Sequence, residues 1–187
     1  MKKIIYVTEN KNKILYTQRI FDGHDIKVIQ KKIEIDEIQS SSAEKIVKDK
    51  ANKAYKIIKK PLIVSDSEWK IPALKGFPGP YMKYVNNWFS VNDFLNLMKS
   101  KQKRIIYLNH LICGIDKKGI KVFKRKIIGT FAKKPQGKGT PLDRLVIPEG
   151  EKYTIAKCHN LKLYSGKEEK SWKGLIKWVL GESRIKN

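Results

Sequence analysis

Leu62-Ile-Val-Ser-Asp66-Ser-Glu-Trp-Lys-Ile-Pro-Ala-Leu-Lys-Gly76-Phe-Pro-Gly-Pro80-Tyr-Met-Lys-Tyr84 is the stretch from which the rest of the chain can be read. Leu62, Ile63 and Val64 form a short apolar run behind Pro61, the pattern of a strand covered on both faces. In open α/β sheets, ligands collect just past the carboxyl ends of such strands. Asp66 stands there as a single carboxylate where the buried strand is expected to end. Further on, Gly76-Phe77-Pro78-Gly79-Pro80 holds two glycines and two prolines, which forces the backbone along a defined path. Such a loop either brings backbone to a ligand or joins two elements.

The chain has 187 residues, enough for one domain with a real core, and no Pro/Gly/Ser-rich linker divides it. A single domain over 1–187 is expected. No run of apolar residues is long enough to span a membrane, and Ile4-Ile5-Tyr6-Val7 is too short for a signal-peptide core. The expected location is cytoplasmic. Cys113 and Cys158 are isolated thiols without metal-type spacing, which speaks against a disulfide framework or structural zinc. The 41 Lys+Arg outweigh 18 Asp+Glu to give a net charge of +23. That balance draws polyanions and allows nucleic acid as a partner, but the lysines are spread along the chain, the pattern of a diffusely basic surface.

Ile4 to Val7 reads as a first strand, and Thr8-Glu9-Asn10-Lys11-Asn12-Lys13 breaks it before a helix from about Ile14 to Phe21. A helix N-terminus offers unpaired N–H groups to phosphate, and Lys13 adds a cation. Ile26 to Ile29 and Ile33 to Ile35 supply one or two further strands. Ser41-x-x-Glu44 has capping-box spacing before a helix reaching about Lys59, on which Lys50 shares the apolar stripe with Ile46 and Ala54. Such a lysine either snorkels to water or turns inward to an anion. Tyr84 to Lys99 reads as mostly helical, packed on the sheet or on a partner subunit. Arg104 to Ile115 and Ile120 to Ile128 form a hairpin about Asp116-Lys117-Lys118-Gly119. His24, His110 and His159 read as structural. A last helix runs from about Lys167 to Leu180, with Gly181 at its C-cap.

Ser65-Asp66-Ser67, followed by Ala73-Leu74-Lys75-Gly76-Phe77-Pro78-Gly79-Pro80-Tyr81, resembles the central signature of the inosine triphosphate pyrophosphatase family, which hydrolyses non-standard purine nucleoside triphosphates. The resemblance extends along nearly the whole chain. The family's opening Thr-Gly-Asn-x-x-Lys is matched by Thr8, Asn10 and Lys13, with Glu9 in place of the glycine. Its metal-binding Glu-x-Gln is matched by Glu37 and Gln39, and its helical Lys-Ala pair by Lys50-Ala51. Asp143 alone survives of a Phe-Gly-Tyr/Trp-Asp-Pro segment, and Leu142 stands where an aromatic residue would hold the base. Lys157 replaces the acid of Thr-x-Ala-Glu. Lys167 matches a substrate-contacting lysine, and Ser171-Trp172-Lys173 lies where Ser-His-Arg is expected. Many members carry two adjacent acids at the strand end; here the first is Ser65.

The resemblance implies an α/β fold with a mixed, twisted central sheet flanked by helices, two lobes around a nucleotide cleft, and a homodimer. It also implies Mg2+ as cofactor and water attack on the α-phosphate, giving monophosphate and pyrophosphate. Glu37 and Asp66 become the metal ligands, Asp66 and Lys50 the catalytic groups. Thr8, Asn10, Lys13, Ser67, Asp143, Lys167, Trp172 and Lys173 become the substrate-binding set. Hard oxygen ligands, phosphate-neutralising cations and a water-orienting carboxylate are what such a cleavage needs. Because the base-reading positions have changed, base selectivity is expected to be altered, with Trp172 offering a stacking surface. The competing expectation is a protein of the same fold with impaired turnover that binds nucleotide or nucleic acid through its basic surface.

Overall fold

The computed structural model describes residues 1–161 and 167–182; for 167–169 it describes the backbone alone. In chain order the elements are β1 Lys2–Val7, α1 Lys11–Ile20, β2 Ile26–Lys31, α2 Ala43–Ile58, β3 Leu62–Lys70 and β4 Pro78–Gly79. They continue with α3 Met82–Trp88, α4 Val91–Leu97, β5 Ile105–Asp116, β6 Gly119–Phe131, β7 Val146–Pro148, α5 Ile155–Asn160 and α6 Lys167–Leu180.

The strands form one sheet in the order β2-β1-β3-β5-β6-β7, with β4 paired to β3. β1 lies parallel to β2 and to β3, whereas β3–β4 and β6–β7 are antiparallel. The two-residue link between β5 and β6 admits only an antiparallel pair. The sheet is therefore mixed and flanked by helices, as the sequence implies.

The chain folds into two compact units. The first comprises Met1–Asp66, Leu111–Arg125 and the segment carrying α6; the second comprises Ser67–His110 and the segment from Lys126 through α5. In the first unit, strand alternation sends Ile4, Tyr6 and Ile63 to one face, where they pack with Ile20 and Phe21 of the α1 segment and Trp172, Leu175 and Ile176 of α6. Val7, Leu62 and Val64 go to the other face, beneath Val47, Ala51 and Ala54 of α2. The second unit has its own core of Trp69, Ile71, Phe94, Ile106, Phe131 and Leu142.

Several boundaries differ from the sequence reading. β3 does not end at Asp66 but runs to Lys70, because β4 offers it a new partner at Trp69 and Lys70 after β1 stops at Val7. Ile33 and Ile35 form no strand; they pack as irregular chain against the α2-side core. The helix cap is Ser42, whose side chain accepts from Lys45 N at 3.3 Å, so Ser41 is outside it. The Tyr84–Lys99 segment is two helices, broken where Ser90 and Asp93 form a capping box. The Gly76–Pro80 loop performs the joining role. Gly76 and Gly79 take φ of +93° and +62°, which suits residues without a Cβ, and Phe77 packs 5.4 Å from the Phe89 ring.

Candidate active site

The end of β1 and the two helices beside it build the site in the first unit. Thr8 and Asn10 shape the turn: Thr8 Oγ1 accepts from Asn10 N at 3.2 Å, and Asn10 caps α1 by accepting from Asn12 N at 2.8 Å and Lys13 N at 3.3 Å. Two of the N–H groups that a phosphate could use are thus already engaged by Asn10. Glu9 is exposed. Lys13, on the first turn of α1, donates from Nζ to the Ser65 carbonyl at 3.3 Å. Lys13 therefore bridges α1 to β3 one residue before Asp66.

Three other charges act on that ammonium. Burial lowers the Lys13 pKa; the Asp66 carboxylate opposes the shift, Lys50 adds to it, and Glu37 opposes it. The carboxylates expected to share a cation, Glu37 and Asp66, thus both act on one lysine. Glu37 arrives on the irregular chain after β2 and forms an ion pair with Lys50 of α2, whose side chain is only 19% exposed. Lys53 donates to the Asp36 carbonyl at 2.6 Å and fixes the same segment. Lys50 therefore turns to an anion and does not snorkel. Asp66 follows Val64 by two residues and so shares its α2-side face of β3, whereas Ser65 shares the face of Ile63 and Tyr6.

Among the described residues no group of three or more His, Cys, Asp or Glu is placed to hold a metal ion. Mg2+, however, is commonly held by one or two carboxylates, with substrate phosphates and water completing the shell. By residue type Glu37 and Asp66 could supply such a pair, and Glu37 is here ion-paired to Lys50.

Other expected residues are placed differently. Ser67, in the second unit, shares a 3.0 Å hydrogen bond with His110 Nδ1, a partner that sequence reading left as purely structural. Asp143, also there, accepts from Thr140 Oγ1 at 2.7 Å, and burial raises its pKa. The side chain of Lys167 lies outside the described residues. Trp172 offers no stacking face: it is fully buried in the α1/α6 core, and its Nε1 donates to Tyr16 at 3.1 Å. A ring of that size on the apolar stripe of α6 gains more from burial than from solvent. Leu142, which stands where the family's aromatic residue is expected, is likewise fully buried. Lys173 is exposed and lines a cavity with His24, Lys170 and Lys177. His24 precedes β2, and β1 and β2 run parallel from Lys2↔Ile26. That cavity is therefore at the opposite end of these strands from the Thr8–Lys13 turn.

What reading the sequence missed is Tyr6. Its hydroxyl is hydrogen-bonded to Ser65 Oγ, and burial pushes its pKa up to about 12. The signal available was a hydroxyl-bearing ring on a strand otherwise made of aliphatic core residues.

A profile of the Ham1 family matches residues 4–164. The chain belongs to that family. It is 36% identical over 155 residues to the dITP/XTP pyrophosphatase of Saccharolobus solfataricus, covering 82% of this chain and 81% of that one. The corresponding protein of Hyperthermus butylicus is 32% identical over 154 residues, with 82% and 81% covered. The fold matches that of the Staphylococcus aureus Ham1 protein with a TM-score of 0.77 at 23% identity, covering 97% of this chain and all of that one. The Coxiella burnetii HAM1 protein gives 0.77 at 20%, covering 98% and 100%. The Ham1 match thus confirms the family resemblance seen in the Asp66 to Tyr81 signature.

Proposed function

We propose that this Ham1-family chain hydrolyses non-standard purine nucleoside triphosphates to the monophosphate and pyrophosphate, with Mg2+ as cofactor and a base selectivity of its own. Family membership, with relatives named as dITP/XTP pyrophosphatases over four fifths of both chains, makes it a nucleoside triphosphate pyrophosphatase. The observation that supports the finer reading is geometric: Lys13 is hydrogen-bonded to the Ser65 carbonyl, one residue before Asp66, and Lys50 is ion-paired to Glu37, with Asp66, Lys50 and Glu37 all acting on the Lys13 ammonium.

In this reading Lys13 and Lys50 neutralise the polyphosphate, and Asp66 orients a water and takes its proton as oxygen attacks the α-phosphorus. The α–β bridging bond breaks, and pyrophosphate leaves with the electron pair. Bound to Glu37 and Asp66, Mg2+ would polarise the phosphate oxygens. Thr8 and Asn10 shape the loop beneath the phosphates. Ser67, Asp143 and Lys167 remain substrate-binding candidates by family position. Altered base selectivity is supported by the burial of Leu142, at the missing aromatic position, and of Trp172, at the position of the family's histidine, which takes both side chains away from a base. A binding protein without turnover is the weaker reading, because the charged groups that cleavage needs are still together.

A homodimer is supported by an aromatic patch on the second unit. Trp88 is 73% exposed and stacks 5.5 Å from Tyr84, itself exposed, beside exposed Leu97. Among the described residues no helix is long and apolar enough to cross a membrane. The cytoplasmic reading rests on the low cysteine count and the substrate class.

Pyrophosphate release measured over standard and deaminated triphosphates tests the proposal. Mg2+-dependent release from the deaminated set is expected, and Asp66→Asn should lower kcat by about 10²- to 10⁴-fold. Full activity in Asp66→Asn, or no release from any triphosphate, would overturn it.

A further inference from the structure

The Lys13 ammonium is held by a backbone carbonyl, and a carbonyl has no side chain to hold it in turn. Ser65, which owns that carbonyl, lies just past the last residue of β3 that pairs with β1: the register ends at Tyr6↔Ile63. Beyond Ile63 the register with β1 ends. A side-chain contact joins the two strands there. Tyr6, 1% exposed, reaches along its own face of the sheet, and its hydroxyl is bonded to Ser65 Oγ. Tyr6 is itself rigid: its ring is packed among Ile4, Ile20, Ile63 and Trp172.

We infer that the Tyr6–Ser65 hydroxyl pair is a positioning element, fixing the Ser65 carbonyl so that Lys13 is set for a polyphosphate. This rests on the reading of Lys13 as a phosphate-binding cation. Tyr6 and Ser65 touch no substrate; they act through Lys13. The pair also gives Ser65 a role that an acid at this place would fill differently. A carboxylate there would add charge beside Asp66, whereas two neutral hydroxyls hold the peptide without repelling phosphate. A side-chain contact of this kind acts on geometry, and displacement of a binding group by about 1 Å can cost roughly 10²-fold.

The test uses inorganic pyrophosphate binding to the full chain in chelator, measured by calorimetry for wild type, Tyr6→Phe, Ser65→Ala and the double variant, with thermal midpoints alongside. Each single variant is expected to weaken pyrophosphate about 5- to 10-fold, and the double variant no more than the worse single one, because both break one contact. Lys13→Ala should remove most of the affinity, and adding Tyr6→Phe to it should then change nothing. Turnover of a deaminated triphosphate should show the same order. Unchanged pyrophosphate affinity in Tyr6→Phe, losses that track the thermal midpoint and not the Lys13 background, or no measurable binding in wild type would overturn the inference. Binding with that pattern but without hydrolysis would instead sink the pyrophosphatase reading and leave the positioning role standing.

Discussion

At the scale of single residues, the chain holds both charges that offset one another and a buried acid that is only partly offset. Lys13, Lys50, Glu37 and Asp66 compensate one another within the first unit. Asp143 has no such company: burial is the largest influence on its carboxyl and raises its pKa, with the Thr140 hydroxyl and His159 only partly offsetting it. The sign of the linkage follows. A carboxyl whose folded pKa exceeds its unfolded value, about 3.9, binds its proton more tightly when folded. Stability from this group is therefore greatest at low pH and falls as pH rises from the unfolded pKa through the folded one. Asp143→Asn, which keeps an acceptor for Thr140, should raise the thermal midpoint relative to wild type at pH 7 and leave it nearly unchanged at about pH 3. Melting curves at the two pH values check this; a variant less stable at pH 7 than at pH 3, relative to wild type, would show that the Thr140 bond outweighs burial.

At the scale of elements, the helix that presents Lys50 is set by its first turn. The chain enters α2 through Ser40, whose Oγ accepts from Ser42 N at 3.1 Å, and Ser42 then caps the helix. Glu44 is left for Lys48 and Lys124, and those ammonium hydrogen bonds hold its carboxyl at about 2. Ser42→Ala should cost about 1 kcal/mol and lower the thermal midpoint by roughly 2–4 °C. Ser41→Ala, by contrast, should stay within about 0.5 kcal/mol of wild type. Denaturant melts of the two variants decide which serine is the cap. The same comparison shows what local sequence can and cannot carry. The β5–β6 hairpin was legible because its turn residues, Asp116 to Gly119, impose their own geometry. Helix α6 was legible from its apolar stripe. The break at Ser90 was also written in the chain, since Ser90-x-x-Asp93 has cap spacing, but the aromatic residues around it obscured that signal. The continuation of β3 depends on β4 folding straight back onto it, Lys70↔Pro78, and the burial of Trp172 on Tyr16, far along the chain; neither pairing is written in the local apolar pattern. The candidate carboxylates Glu37 and Asp66 were recognisable from the family resemblance, whereas the carbonyl that receives Lys13 was not, because a backbone acceptor is common to every residue.

At the scale of the whole molecule, a net charge of +23 must be accommodated by a fold in which 41 basic residues face 18 acids and the ion pairs about Met1, Lys48, Lys53 and Lys124 are largely exposed. Exposed pairs contribute about 0–1 kcal/mol each and are themselves weakened by salt. The sum of repulsions among 41 basic residues opposes compaction and is weakened by salt as well. The two effects have opposite signs, and the excess of 23 positive charges decides between them: most lysines have no acid to lose when salt is added. Raising NaCl from about 20 to about 200 mM shortens the screening length from roughly 20 to 7 Å, so long-range repulsion fades before close pairs do. The thermal midpoint of the nucleotide-free protein should therefore rise with NaCl, while the affinity for pyrophosphate should fall. Thermal melts and calorimetry across one salt series read both. A midpoint that falls with salt would mean that the pairs about Glu44 and Glu37 contribute more to folding than the surrounding excess of lysine opposes it.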